Sequence, residues 1–262
     1  MILLAADLDR TLIYSAKAVA LGRSRSGHDF GPAELVPVEF RQGEQASFMT
    51  AAAAKLLAEL PIVPVTTRSL KQYRRVRLPG PPAAFAIAGN GGHLLIDGEP
   101  DPAWAAEIRE RLRTVSPLAE AVSQLQRRSR PDWRVHEVDG LFCYAVIDRA
   151  EFRRRNLAEL DEWAQPNGWR SSLQGRKLYL VPRPLAKSAA VAELARRTGT
   201  IRVYAAGDSL LDIDLLQFAD HGIHPGHGEL ARSGWSAAHV QRLAETGPLA
   251  GERIAEWLAA AS

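Results

Sequence analysis

The chain has 262 residues, 46% hydrophobic and 24% charged, a size and balance that allow one large core or a core with a smaller domain beside it. Its formal net charge of +3 suits anionic metabolites and is far short of a nucleic-acid-binding tail, and pairs such as Arg74-Arg75 and Arg196-Arg197 read as solvated helix faces. A single cysteine, Cys143, excludes an intramolecular disulfide and a cysteine-rich zinc site, and its apolar neighbours predict a buried thiol.

Residues 1–6 are apolar, carry no basic leader and run into Asp7, so residues 2–8 read as a buried strand of a parallel sheet rather than a signal peptide. No later segment stays apolar for the ~20 residues that a bilayer span requires, which predicts a cytoplasmic protein without a membrane partner. Residues 14–47 mix Gly, Ser, Arg and Pro with one strand-like run at 35–40, and are expected to form a flap or long loop. A helix is expected over 47–60, a buried strand over 62–65, a helix up to Arg77, a strand over 85–88 and a turn at Gly89-Asn90-Gly91-Gly92.

Apolar residues at Trp104, Ile108, Leu112, Val115, Leu118, Val122 and Leu125 mark one helical face, which Pro117 breaks, with Ser116 as a candidate N-cap. Strands near 133–138 and 141–147 flank the turn pair Asp139-Gly140. Asp148 and Glu151 suggest a capping box opening a helix to about Gln165, and strands at 169–173 and 177–181 follow. From Lys187 the order becomes helix to Arg197, strand over 201–206, helix over 210–218, and helices near Leu230 and over 252–261. His221, His224 and His227 read as a loop rather than a zinc site, because glycines and a proline interrupt them; His227 could reach the sheet edge. The pattern predicts an α/β fold: a Rossmann-like parallel sheet with helices on both faces, built from residues 1–98 and 184–262. A smaller α+β domain, αββαββ, is inserted at 99–183.

The chemistry concentrates at predicted strand ends. Asp7-Leu8-Asp9-Arg10-Thr11 places two carboxylates at the carboxyl end of a buried strand, the edge where open α/β sheets bind ligands. A divalent cation would balance them; one could then attack a substrate while the other transfers protons. By itself the pair reads equally well as solvated acids at a turn. Gly207-Asp208-Ser209-Leu210-Leu211-Asp212 follows another buried strand, and Asp208 and Asp212 lie one helical turn apart. Helix capping by Asp208 is the competing account, and it leaves the coincidence with the first pair unexplained. Thr66 ends a third strand and reads as a phosphate-oxygen donor or as an N-cap. Lys187 opens a helix, where the dipole disfavours a cation, so it either has an anionic partner or is a surface lysine.

In this order and spacing, the four stations resemble the motifs of the haloacid dehalogenase-like (HAD) phosphohydrolases over essentially the whole chain. Asp7 through Thr11 match the first motif, Thr66 the second, Lys187 the third, and Gly207-Asp208 with Asp212 the fourth. The inserted block is similar to the α/β cap of the sugar-phosphatase branch, which includes sucrose-phosphate and Cof-type phosphatases. The resemblance implies that Asp7 forms an aspartyl-phosphate, that Asp9 is the acid–base partner, and that Thr66 and Lys187 hold phosphoryl oxygens. It implies Mg²⁺ held by Asp7, the backbone carbonyl of Asp9 and Asp208, with Asp212 in support. Substrate contacts are expected from Thr67 and Arg68 and, in the cap, from Gln174, Arg176 and Lys177. Arg10, Thr67 and Leu211 depart from the usual glycine, glycine and asparagine. The expected activity is hydrolysis of a small phosphorylated metabolite, a sugar or polyol phosphate; a phosphosugar mutase and a non-catalytic metabolite-binding protein are the alternatives.

Overall fold

The computed structural model describes residues 1–20, 30–128, 133–148 and 154–262. Contacts divide the chain into two compact units, Met1–Pro100 with Lys187–Ser262, and Asp101–Ala186. Among the described residues no helix is long and apolar enough to cross a membrane.

The first unit is built on a parallel sheet of five strands, in the order Val240–Arg242, His221–His224, Arg202–Ala206, Ile2–Ala6, Ile62–Pro64. Leu3 through Ala6 are buried on both faces, the pattern that parallel sheets impose on apolar runs. Register aligns the carboxyl ends: Ala6 lies opposite both Ala206 and Pro64, and Ala206 lies opposite Ile223. Phe85–Ala88 joins beside Val65 through a single parallel bridge and heads its own antiparallel sheet with His93–Ile96 and Glu99–Pro100. The α/β class with a parallel core is as expected.

The largest difference from expectation lies between residues 14 and 50. Residues 21–29 fall outside the described residues. The rest is no loose flap. Leu35–Arg41 and Glu44–Thr50 form an antiparallel hairpin, extended by Tyr14–Ser15. Val38 and Met49 are buried in the same core cluster as Leu8, Leu12, Leu57, Ile254 and Leu258. The helix expected from Ser47 therefore starts later, at Ala51–Leu57, because residues 44–50 are claimed by the sheet; Thr50 caps it by accepting from Ala53 N at 3.1 Å.

Two smaller corrections concern the C-terminal part. Residues 210–218 are a 3₁₀ turn, Leu210–Asp212, followed by the helix Ile213–Phe218. His221–His224, expected as loop, is a strand of the sheet: its neighbours on both sides supply the ladder bonds that Gly222 and the histidines do not favour intrinsically.

The second unit carries the helices Pro102–Leu112, Leu118–Arg128 and Arg154–Ala164 and a four-stranded antiparallel sheet ordered Trp169–Gln174, Lys177–Pro182, Phe142–Val146, Val135–Val138. The helices separate at Pro117 as expected, and the Ser116 hydroxyl before it donates to Asn167 Oδ1 at 2.8 Å. Glu151 of the expected capping box lies outside the described residues. Cys143 is buried, and burial pushes its thiol up to about 12, as suits an inert side chain.

If the hairpin is part of the core, Met49→Ala should lower stability by about 2–4 kcal/mol in urea unfolding. A peripheral flap would lose no more than ~0.5 kcal/mol.

Candidate active site

Asp7 leaves the sheet with its N–H still bonded to Ala206 O at 2.9 Å, so its side chain starts from a fixed backbone. Its carboxylate accepts from Lys187 Nζ at 2.7 Å on Oδ1 and from Thr11 Oγ1 at 3.2 Å on Oδ2. Lys187, the first residue of the helix Lys187–Thr198, is fully buried and also donates to Asp212 Oδ1 at 2.5 Å. The other oxygen of Asp212 accepts from Asp208 N at 3.1 Å and from Ser209 N and Oγ, both at 2.8 Å. The turn after Arg202–Ala206 thus wraps one carboxylate. Gly207 is required there, since a Cβ would stand 2.4 Å from that of Asp212.

Asp208 is not a helix cap. Its carbonyl accepts from Glu229 N at 2.9 Å and Leu230 N at 3.2 Å, while its buried carboxylate lies 3.5 Å from Arg10 Nε. Gly228, with φ +87°, makes that approach possible: a Cβ would come within 2.4 Å of Asp208 O. Arg10, which stands where the resemblance leads one to expect glycine, adopts a glycine-like φ of 67°. Its carbonyl is 2.8 Å from His227 Nε2; because Gly247 N donates to Nδ1 at 3.1 Å, the proton sits on Nε2 and is donated to Arg10 O. His227 therefore reaches the edge as a brace for the turn. His221 packs against the Tyr204 ring and His224 Nδ1 lies 3.0 Å from Pro225 O.

Among the described residues, the one grouping able to hold a metal ion is Asp7, Asp208 and Asp212, whose ligand atoms lie within 4.8 Å of one another. Burial pushes the Asp7 carboxyl up to about 7; Lys187 opposes the shift, and Asp212 and Asp9 add to it. Asp208 is raised well above the carboxylate range by burial and by the charges of Asp7 and Asp212. Burial would lower Lys187, but Asp212 and Asp7 outweigh it and hold the ammonium charged. Three buried carboxylates beside the Lys187 ammonium and the Arg10 guanidinium are still short of positive charge, and their donors are all oxygen. That set fits a hard divalent cation such as Mg²⁺ and not zinc.

Thr66 is fully buried at the neighbouring strand end, its N–H bonded to Ile87 O at 2.8 Å and its hydroxyl accepting from Arg68 N at 3.2 Å. It does not cap the next helix: Ser69 does, in a reciprocal pair with Gln72. Thr67 is partly exposed on the same turn. Arg68 binds Asp9 with both prongs, Nε to Oδ2 at 2.7 Å and Nη2 to Oδ1 at 2.8 Å. Gln174, Arg176 and Lys177 lie in the second unit, on the hairpin turning at Gly175. Arg176 Nε donates back to Ile147 O at 3.3 Å, and Lys177 Nζ sits 5.1 Å above the Tyr144 ring. Sequence reasoning passed over Thr11, Ser209 and Glu39. The first two sat inside motifs whose carboxylates drew the attention; Glu39 reaches Arg68 only through the tertiary fold.

No family model matches the chain, and no curated protein matches it by sequence. Solved structures do match it in fold. The sucrose-phosphatase of Synechocystis sp. PCC6803, solved with sucrose and phosphate, superposes with a TM-score of 0.67 at 13% identity, covering 98% of this chain and 97% of that one. A Thermoplasma acidophilum protein matches with a TM-score of 0.61 at 16% identity, covering 98% of both chains. A phosphatase of the haloalkanoate (HAD) enzyme superfamily from Bacteroides thetaiotaomicron matches with a TM-score of 0.55 at 15% identity, covering 98% of this chain and 94% of that one. The fold expected from the motif resemblance is thus the fold found, over nearly the whole length.

The raised Asp7 carboxyl has a consequence for stability. The folded state binds the Asp7 proton more tightly than the unfolded state, so the stability associated with Asp7 falls as pH rises from about 4 to about 7. In metal-free buffer Asp7→Asn should therefore gain on the wild type across that window, with its largest relative stability above pH 7, read from urea midpoints. Added Mg²⁺ should narrow the gap by binding the wild type. A difference independent of pH would contradict the raised carboxyl.

Proposed function

We propose that the chain is a Mg²⁺-dependent phosphatase that hydrolyses a phosphomonoester of a small metabolite through an aspartyl-phosphate on Asp7. The observation that carries this reading is the division of the Asp7-Leu8-Asp9 carboxylates between two cations: Asp7 against buried Lys187, Asp9 in the fork of Arg68. Two acids in different electrostatic settings are suited to two roles.

In this reading the Asp7 carboxylate, oriented by Lys187 and Thr11, attacks phosphorus in line with the ester bond. The new bond joins an Asp7 oxygen to phosphorus, and the bond to the leaving oxygen breaks. Asp9, entering this step as the carboxylic acid with one oxygen released from the Arg68 fork, gives its proton to that oxygen, then takes one from the water that attacks phosphorus and frees Asp7 and inorganic phosphate. The Asp9 side chain is 51% exposed, open enough to meet a leaving group and water. The Lys187 ammonium and the Thr66 hydroxyl hold the phosphoryl oxygens as charge grows on them. Asp7, the Asp9 backbone carbonyl and Asp208 would hold Mg²⁺, with Asp212 fixing the Asp208-Ser209 turn behind them. Bound there, Mg²⁺ would supply the positive charge that the carboxylates lack and polarise the phosphoryl group.

The second unit, acting as a cap, would select the leaving group with Gln174, Arg176 and Lys177, and Thr67 and Arg68 would contribute contacts from the first unit. A sugar or polyol phosphate is the favoured substrate class. The support is the likeness in fold to a phosphatase solved with sucrose and phosphate.

A panel of sugar, polyol and nucleoside phosphates with Mg²⁺, read by phosphate release, should reveal turnover that Asp7→Asn lowers by about 10³-fold or more. Full turnover in Asp7→Asn would sink the nucleophile assignment, and an isomerised product without phosphate release would point to a mutase.

A further inference from the structure

The hairpin Leu35–Thr50 does more than complete the core. Its first strand has an irregular register at Pro37, Glu39 and Phe40, and there, while still paired with the second strand, it also docks against the segment after the Thr66 turn. Glu39 bridges to Val76, and Arg77 N donates to Val38 O at 2.7 Å. This bulge carries the Glu39 side chain inward, to 4% exposure. There Oε1 accepts from Arg75 Nε at 3.2 Å and Oε2 accepts from Ser47 Oγ at 2.8 Å. Oε2 also lies 2.9 Å from Arg68 Nη1, an ion pair rather than a well-aligned hydrogen bond.

The Arg68 guanidinium is thus engaged at all three nitrogens, Nε and Nη2 on Asp9 and Nη1 on Glu39. Because the group is planar and rigid, fixing Nη1 fixes the direction in which the other edge points. Arg68 is 11% exposed and Asp9 51% exposed, so the ordered member of the pair is the arginine. A half-exposed aspartate with a mobile partner would gain little from pairing. With the partner held from behind, Asp9 is confined to one orientation, which is what proton transfer at a fixed distance requires. Burying a carboxylate between two arginines is a costly way to stabilise a hairpin that apolar residues already hold.

We propose that Glu39 is a positioning residue, which through Arg68 holds the Asp9 carboxylate in place for proton transfer. The transfer itself rests on the phosphatase reading above; the hold does not, and it can be measured without turnover.

Arginine Nε–H resonances of ¹⁵N-labelled protein report the hold directly, with the Arg68 signal assigned by its absence in Arg68→Lys. In Glu39→Gln that signal should broaden or exchange about 10-fold faster with solvent, since a neutral amide no longer clamps Nη1. Ser47→Ala, which removes only the hydroxyl on Oε2, should shift it in the same direction by less, and serves where Glu39→Gln folds poorly. An unchanged Arg68 signal in either folded variant overturns the proposal. On a phosphate ester that the wild type hydrolyses, Glu39→Gln should lower kcat about 10- to 100-fold with KM within about 2-fold. In an Arg68→Lys background it should add little; additive losses would mean that Glu39 acts other than through Arg68. A wild type that turns over no phosphate ester would sink the phosphatase reading, while the resonance still decides whether Glu39 holds Asp9.

Discussion

The buried ammonium of Lys187 is the constraint around which the first unit is arranged. A charge without access to water survives only where anions surround it, and here two of them, Asp7 and Asp212, reach the same nitrogen. Asp7 arrives from the end of Ile2–Ala6, Asp212 from the turn after Arg202–Ala206, and Lys187 from the first turn of its helix. The parallel register that aligns Ala6 with Ala206 is what makes these separate segments meet. Removing Lys187 would leave two buried carboxylates without the cation they share, so the fold and the site cannot vary independently at this point. Asp208 then adds a further buried carboxylate that the ammonium does not touch. Burial and the charges of Asp7 and Asp212 raise its affinity for a proton, and Arg10 Nε stands 3.5 Å from it.

The second carboxylate of the first motif belongs to a different network. Asp9 is turned toward Arg68, and Arg68 is backed by Glu39 with Arg75 and Ser47. Fully buried Leu8 separates the two aspartates, and the chain then turns tightly, with Leu12 N and Ile13 N donating to Leu8 O. That turn is why side chains two residues apart face different cations. It is closed by the left-handed Arg10 and braced by His227, so its geometry is imposed from outside the motif.

What could be read from the sequence was what local order determines. An apolar run followed by a polar residue marks a strand end, and the structure places Asp7, Thr66 and Asp208 just beyond such ends. Lys187 stood out because a cation at a helix start opposes the dipole. Side-chain partners were harder. Thr66 and Ser69 are equally good caps by residue type, and only the path of the chain chooses Ser69. His221–His224 lacks strand-forming residues and owes its conformation to the strands beside it. Pro37 and scattered polar residues hid the hairpin, since proline demotes a strand in sequence reading; the irregular register around it is what accommodates the ring. Glu39 could not be singled out, because nothing in its neighbourhood names Arg68 or Arg75 as partners.

That hairpin also ties the site to the core by two different kinds of force. One face carries Val38 and Met49 into the apolar cluster shared with Ile254 and Leu258. At the register shifts around Glu39 the side chain turns toward the arginines instead. The same strand that ends at Thr50 passes directly into the helix Ala51–Leu57, where the Thr50 hydroxyl accepts from Ala53 N. Apolar packing therefore sets where the hairpin sits, and the carboxylate transmits that position to Arg68 and on to Asp9. Apolar contacts alone would tolerate small shifts of the strand; a planar guanidinium between two carboxylates does not, because its hydrogen bonds weaken steeply with angle. The orientation of Asp9 is in this way set by a segment distant in sequence, while the position of Asp7 is set by the sheet itself.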